Sequence, residues 1–217
     1  MHCPVIVFGP DVHDKLEPFS CDNEEYFQSK DVTEEVMAEI EKHAGFDFST
    51  APFESALTMV SGWHGYMVIT ESQLEEDGEP DGSYVLIDDA RTEIKQIIRF
   101  SNENAKWDWF AEGGRYSDYF RVKDGADASD YEAGLDTFDN PTPKEGYADA
   151  ARKRAIDFDK ENHIPVAFID LDGNWHGKYL DESWMSAMPD DEWEKEVREY
   201  IAGVPDDTWM AIVDCHY

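Results

Sequence analysis

Eleven consecutive residues, Lys106-Trp107-Asp108-Trp109-Phe110-Ala111-Glu112-Gly113-Gly114-Arg115-Tyr116, hold the side chains of this chain best suited to chemistry. Two indoles flank a carboxylate, and two glycines and an arginine follow. The aromatics supply large rigid surfaces, the glycines allow positive φ and close backbone approach, and the arginine offers a planar five-donor fork. Two readings follow. In the first the run is a core corner: the indoles pack inside, Arg115 pairs with Asp108 or another carboxylate, and Gly113-Gly114 makes a tight turn. In the second it is a pocket for a nucleotide-like anion. Arg115 clamps phosphate or carboxylate, the Gly113 and Gly114 amides assist, and Trp107 or Trp109 stacks on a base. His176, in Trp175-His176-Gly177, is the best histidine candidate for such a pocket, although beside an exposed turn a histidine is more often a solvated side chain. The run matches neither a P-loop nor a Gly-x-Gly-x-x-Gly fingerprint, and no cofactor is implied.

The termini bring a second group of reactive types, His2-Cys3 and Asp214-Cys215-His216. Two cysteines and two histidines could make a tetrahedral zinc site. Strand alternation argues against it, since neighbours along a strand point to opposite faces and each face receives only two of the four. The same alternation keeps Cys215 from using His216 as the base of a nucleophilic pair. A buried reduced cysteine pair is the expectation, with no metal and no assembled catalytic set, which points away from an enzyme. Three cysteines without CxxC spacing suit a reducing compartment.

The elements that must position these groups are read from periodicity and turn signals. Val5 to Phe8 is a buried strand closed by Gly9-Pro10-Asp11, and residues 12–30 are irregular. A helix starts near Asp31 and ends at Gly45. Residues 46–70 pass from a loop into a strand at Tyr66 to Thr70, Glu71 to Ser83 is an exposed acidic loop, and Tyr84 to Ile87 is a strand. Ile94 to Ile98 is strand or short helix, Tyr119 to Lys123 a strand, 124–146 an acidic insertion, and Tyr147 to Asp159 a helix. Val166 to Asp170 and Trp175 to Tyr179 form a hairpin around Asp172-Gly173. Asp190 or Asp191 opens a helix through Ala202, with Trp193, Val197, Tyr200 and Ile201 on one face, and Trp209 to Tyr217 closes the chain as a strand. This order predicts one α+β domain over 1–217, an antiparallel sheet with helices on one face, of ferredoxin-like type, with exposed acidic loops near 71–83 and 124–146. First and last strands then lie side by side and antiparallel, bringing residues 2–3 near 215–216.

Charge narrows the function. Fifty acidic residues against 18 Lys and Arg leave a net charge of −32 in 217 residues. Such a chain repels nucleic acid and anionic membranes, so neither is expected as a direct partner, and it attracts basic protein surfaces. The charge reads as a solvated surface adapted to salt, as phosphate-like mimicry of nucleic acid, or as cation-chelating loops. No Asp-x-Asp-x-Asp-Gly loop with a closing glutamate appears, which excludes an EF-hand. For mimicry the candidate partner-binding carboxylates are Asp124, Asp127, Asp130, Glu132, Asp136 and Asp139. No stretch has the roughly 20 apolar residues of a bilayer span, and no signal peptide is visible.

The central run, with the opening Met1-His2-Cys3-Pro4-Val5-Ile6-Val7-Phe8-Gly9 and the closing Val213-Asp214-Cys215-His216, resembles a family of tailed-phage accessory proteins. Those proteins share a Lys-Trp-Asp-Trp-aromatic centre followed by Gly-Gly-Arg-aromatic, and a C-terminal Val-Asp-Cys-His. The resemblance reaches both ends of the chain. Ser183-Trp184-Met185-Ser186 departs from the glycine-rich run expected there, so nothing is carried over for the 180s. The family's biochemical activity is unsettled. The resemblance implies a phage-encoded accessory protein made in the cytoplasm of an infected cell and not needed to build the particle. The charge of −32 and the lack of an assembled catalytic set point to a non-enzymatic protein that binds a host or phage protein such as a DNA-binding defence enzyme. The alternative is a protein that binds or processes a nucleotide-like small molecule.

Overall fold

The computed structural model describes residues 2–135, 142–158, 164–179 and 187–216. Along the chain run β1 (His2–Phe8), α1 (Val12–Leu16), β2 (Gln28–Asp31), α2 (Thr33–Ala44), α3 (Phe53–His64), β3 (Met67–Thr70), α4 (Glu71–Asp77), β4 (Tyr84–Ile87), β5 (Ile94–Ser101), β6 (Trp109–Glu112) and β7 (Phe120–Arg121). There follow β8 (Tyr131–Glu132), β9 (Tyr147–Ala148), β10 (Ala150–Arg152), β11 (Ala167–Ile169), β12 (Trp175–Gly177), α5 (Asp190–Gly203) and β13 (Trp209–His216). The fold is mixed α+β. Where one domain is expected, the chain clusters into two compact units, Met1–Asp22 with Asn104–Tyr217, and Asn23–Glu103.

The first unit is built on a seven-stranded sheet in the order β12-β11-β1-β13-β10-β8, with β6 also paired to β13. This replaces the expected ferredoxin-like sheet, and one pairing, β1 with β11, is parallel. The first and last strands are antiparallel neighbours as expected, in a register that sets His2 opposite His216 and Cys3 opposite Cys215. Alternation divides their side chains between two cores. Ile6, Phe8, Met210 and Ile212 pack with Trp193 and Val197 of α5, while Val5, Val7, Val213 and Cys215 pack with Leu16 and Trp107. Both faces are therefore covered, not one. Helix α5 begins on Asp190, Asp191 and Glu192, which suit the positive end of its dipole. Its Trp193 donates Nε1–H to the Pro165 carbonyl at 2.7 Å.

Residues 147–158 do not form the expected α-helix: strands β9 and β10 are followed by a single 3-10 turn at Lys153–Ala155. Ala150 and Ala151 are buried where β10 runs between β13 and β8. Pairing and burial outweigh the helix propensity of an Ala- and Arg-rich stretch. Nor is 124–146 simply a solvated insertion: β8 joins the sheet, and Asp130 is buried. Its residues 136–141 lie outside the described set.

The second unit has a four-stranded sheet, β2-β5-β4-β3, with α2 and α3 over Val85, Ile87 and Ile97. Asp31 accepts from Thr33 N–H (3.0 Å) and Oγ1–H (2.6 Å), holding the start of α2. The stretch expected as loop before Tyr66 contains α3, whose Ala56, Leu57 and Val60 are buried at helical spacing. The expected loop after Thr70 begins with α4, started by a reciprocal cap between Thr70 and Gln73. No helix among the described residues is long and apolar enough to cross a membrane.

Candidate functional site

An aspartate in the buried run Ala211-Ile212-Val213-Asp214 needs partners, because an unpaired carboxylate away from water is costly. Asp214 is 1% exposed. His2 Nδ1 lies 2.9 and 3.1 Å from its two oxygens, and the Arg115 backbone N–H donates to Oδ2 at 3.1 Å. In the neutral ring this contact favours the proton on Nδ1, which makes Nε2 the acceptor. Tyr116 Oη–H donates to the His2 carbonyl at 3.0 Å. Burial, then the nearby Asp214 and Cys3, raises the Tyr116 phenol above its ordinary value.

The Gly-Gly-Arg turn is shaped around this carboxylate. Gly114 has φ +52°, and a Cβ built there would stand 2.5 Å from the Asp214 Cβ. Gly113, φ +71°, would meet Ser117 Oγ at 2.8 Å and the Asp149 carboxyl carbon at 3.1 Å. Asp149, fully buried, accepts from the N–H groups of Asp118 (2.6 Å) and Leu135 (2.9 Å). The carboxylate held at this turn is thus the protein's own. Arg115 contributes its backbone; its guanidinium is exposed and makes no hydrogen bond or ion pair among the described residues.

The central run splits in two. Trp107 is buried, with Nε1–H donated to the Leu16 carbonyl at 3.2 Å. Trp109 is 45% exposed and stacks on His216, rings 5.2 Å apart and 12° from parallel. His2 meets the edge of Trp109 at 5.3 Å and of His216 at 4.9 Å. His216 Nδ1 is 2.8 Å from Asp108 Oδ1. Burial works against the Asp108 carboxylate, but the bond and charge of His216 hold its pKa below the ordinary value. Along β6 an open groove of about 570 Å3 is bordered by His13, Asp108, Trp109, Phe110 and Glu112. His13 Nε2 sits 3.1 Å from Glu112 Oε1 and its ring 4.8 Å from Phe110.

The cysteines take the opposite face from the histidines. Gly9 N–H donates to the Trp209 carbonyl at 2.8 Å. Two-residue alternation then makes Cys3 and Cys215 a hydrogen-bonded pair and His2 and His216 a closer, non-hydrogen-bonded one. Hydrogen-bonded partners hold their Cβ atoms about 5.5 Å apart, beyond the roughly 3.5–4.5 Å a disulfide needs. Both thiols are buried and pushed up in pKa, Cys215 strongly, by burial first. No group of three or more His, Cys, Asp or Glu side chains is gathered for a metal ion among the described residues.

His176 lies elsewhere. Its ring stacks on Phe168 at 4.5 Å, and its Nε2 is 3.0 Å from Asp170 Oδ2. Asp170 also accepts from the Asn174 N–H at 2.8 Å, closing the hairpin turn. Burial opposes this charge, yet His176 and Asn174 bring the Asp170 pKa down to about 2. Of the acidic candidates, Asp124, Asp127 and Glu132 are exposed. Asp127 caps a short turn through Ser129 N–H at 2.9 Å. Asp130 faces inward and takes Arg154 in a two-pronged pair at 2.9 and 2.7 Å, so it belongs to the fold rather than to a partner surface. Asp136, Asp139 and Ser183-Trp184-Met185-Ser186 lie outside the described residues.

Sequence reasoning passed over His13, Glu112 and Asp149. Only Asp149 carried a signal, as a carboxylate among the small apolar residues Ala148, Ala150 and Ala151. No protein-family model, curated protein or solved structure matches the chain.

Proposed function

We propose that this is a phage-encoded accessory protein that acts in the infected cell by binding a basic partner protein, such as a DNA-binding defence or repair enzyme, through a nucleic-acid-like acidic surface. The single observation that carries this reading is the groove beside Trp109, which among the described residues no lysine or arginine borders and two carboxylates do. A site for a nucleotide-like anion would place a cation there; this one favours positive charge. Both units share the imbalance. Residues 23–103 carry 19 acidic and five basic residues, the remainder 31 and 13. The exposed Asp190, Asp191, Glu192, Glu194 and Glu199 of α5 extend it.

The test is capture from host lysate on the immobilised protein, at low and high salt, with and without duplex DNA. Recovery of a DNA-binding enzyme that salt or DNA releases supports the reading. Capture of nothing at low salt refutes it.

A second reading draws on the exposed guanidinium of Arg115, which makes no ion pair among the described residues and acts on the neighbouring Tyr116 phenol. A small phosphate- or carboxylate-bearing molecule could be held there, with His2 as proton acceptor. Saturation of the protein by a nucleotide, lost in Arg115→Ala and insensitive to charge changes at Asp124 and Asp127, would favour it over partner binding.

A further inference from the structure

Among the described residues β6 pairs with β13 alone. The register sets Trp109 opposite His216 and Ala111 opposite Asp214. Gly113 N–H donates to the Ile212 carbonyl at 2.9 Å. Counting back in steps of two, Ala111 and Trp109 turn their main-chain groups toward β13, while Phe110 and Glu112 turn theirs outward. The groove of about 570 Å3 follows this open edge. Side chains alternate across it, with Trp109 on the face of His216, and Phe110 and Glu112 on the face of His13.

We propose that the open edge of β6 is the docking strip for an extended, arginine-bearing segment of the partner, an inference that rests on the partner-binding reading above. Outward N–H and C=O groups of a strand edge pair with any extended chain, and the side chains on either face select which chain is accepted. Here both faces select a cation. Trp109 keeps an exposed surface beyond its stack on His216, and a guanidinium stacks on indole better than a compact ammonium does. The Asp108 and Glu112 carboxylates, at the two ends of the strip, can each pair with an arginine of the segment. Among the described residues each is held by a histidine and by no lysine or arginine. A second copy of this chain is a poor occupant, because two bodies of charge −32 repel.

The probe is a fluorescein-labelled peptide of alternating arginine and valine, with a lysine–valine counterpart, read by anisotropy at two salt concentrations. The arginine peptide should bind the tighter of the two. Trp109→Ala should weaken it about five- to tenfold and erase the arginine preference. Asp108→Asn with Glu112→Gln, which keeps the shapes, should weaken both peptides about fivefold or more. Glu75→Gln with Glu76→Gln, which removes two exposed charges from α4, should cost no more than about twofold. If the groove variants match the α4 control while the lysate still yields a DNA-releasable enzyme, the strip is wrong and partner binding stands. If neither peptide binds and the lysate yields nothing, both fall.

Discussion

Replacing Gly114 by alanine tests whether the glycine pair serves the buried carboxylate. At φ +52° an alanine is strained by about 1 kcal/mol. Its Cβ would come 2.5 Å from the Asp214 Cβ and 2.9 Å from Oδ2, so the turn or the aspartate must move. Overpacking of this kind costs about 1–3 kcal/mol. Displacing Asp214 also loosens its bonds to His2 and to the Arg115 N–H, a further 1–3 kcal/mol or so for a buried polar group left poorly paired. The expected loss is about 3–7 kcal/mol, comparable to the whole stability of many domains. Gly125→Ala is the control: φ is +79° but nothing lies within 4 Å of the added carbon, so strain of about 1 kcal/mol is the whole effect. Six of the seven tryptophans lie in the first unit, so urea unfolding followed by tryptophan fluorescence reports on the unit that holds both glycines. A shift in midpoint at constant slope gives the difference directly. If the two alanine variants fall within about 1 kcal/mol of each other, Gly114 is not there for Asp214 and the account of the turn fails.

Other consequences are as sharp. Asp170→Asn should cost about 1–3 kcal/mol at neutral pH, since the carboxylate accepts from Asn174 and His176. Its folded pKa, about 2, lies below the ordinary 3.8, so the wild-type contribution is present above pH 4 and fades as pH falls toward 2; denaturation midpoints of the two proteins should converge over that range. Thiol titration of the native protein at pH 7.5 should modify Cys21 alone, and slowly, because burial first and then the hydrogen bond to Asp22 push its pKa up to about 11; all three cysteines should react in urea. Asp130→Asn should lower stability by about 1–3 kcal/mol through the loss of its pair with Arg154, measurable by thermal melting, whereas Asp124→Lys should leave the melting temperature unchanged and weaken partner capture.

How far the residues disclose this molecule depends on where each element gets its stability. Val5 to Phe8, Tyr84 to Ile87, the Asp172-Gly173 hairpin, α5 and the closing strand carry their own periodicity and turn chemistry, and they were legible. So was the meeting of the two ends, because antiparallel alternation alone places the histidines on one face and the cysteines on the other. The strands around 147–152 were not, since Ala150 and Ala151 favour a helix until β13 and β8 flank them. Helix α3 was missed for a different reason. Its Phe53, Ala56, Leu57 and Val60 have helical spacing, but the surrounding Phe46, Phe48, Trp63 and Tyr66 blur the pattern. The central run shows the limit most clearly. Its two readings looked exclusive in one dimension, yet neighbours two apart went to different places: Trp107 into the core, Trp109 to the surface. What shaped the turn was Asp214, almost a hundred residues away: its buried carboxylate takes the Arg115 N–H and fills the space beside Gly114, while Trp109, Asp108 and Glu112 border the groove along β6.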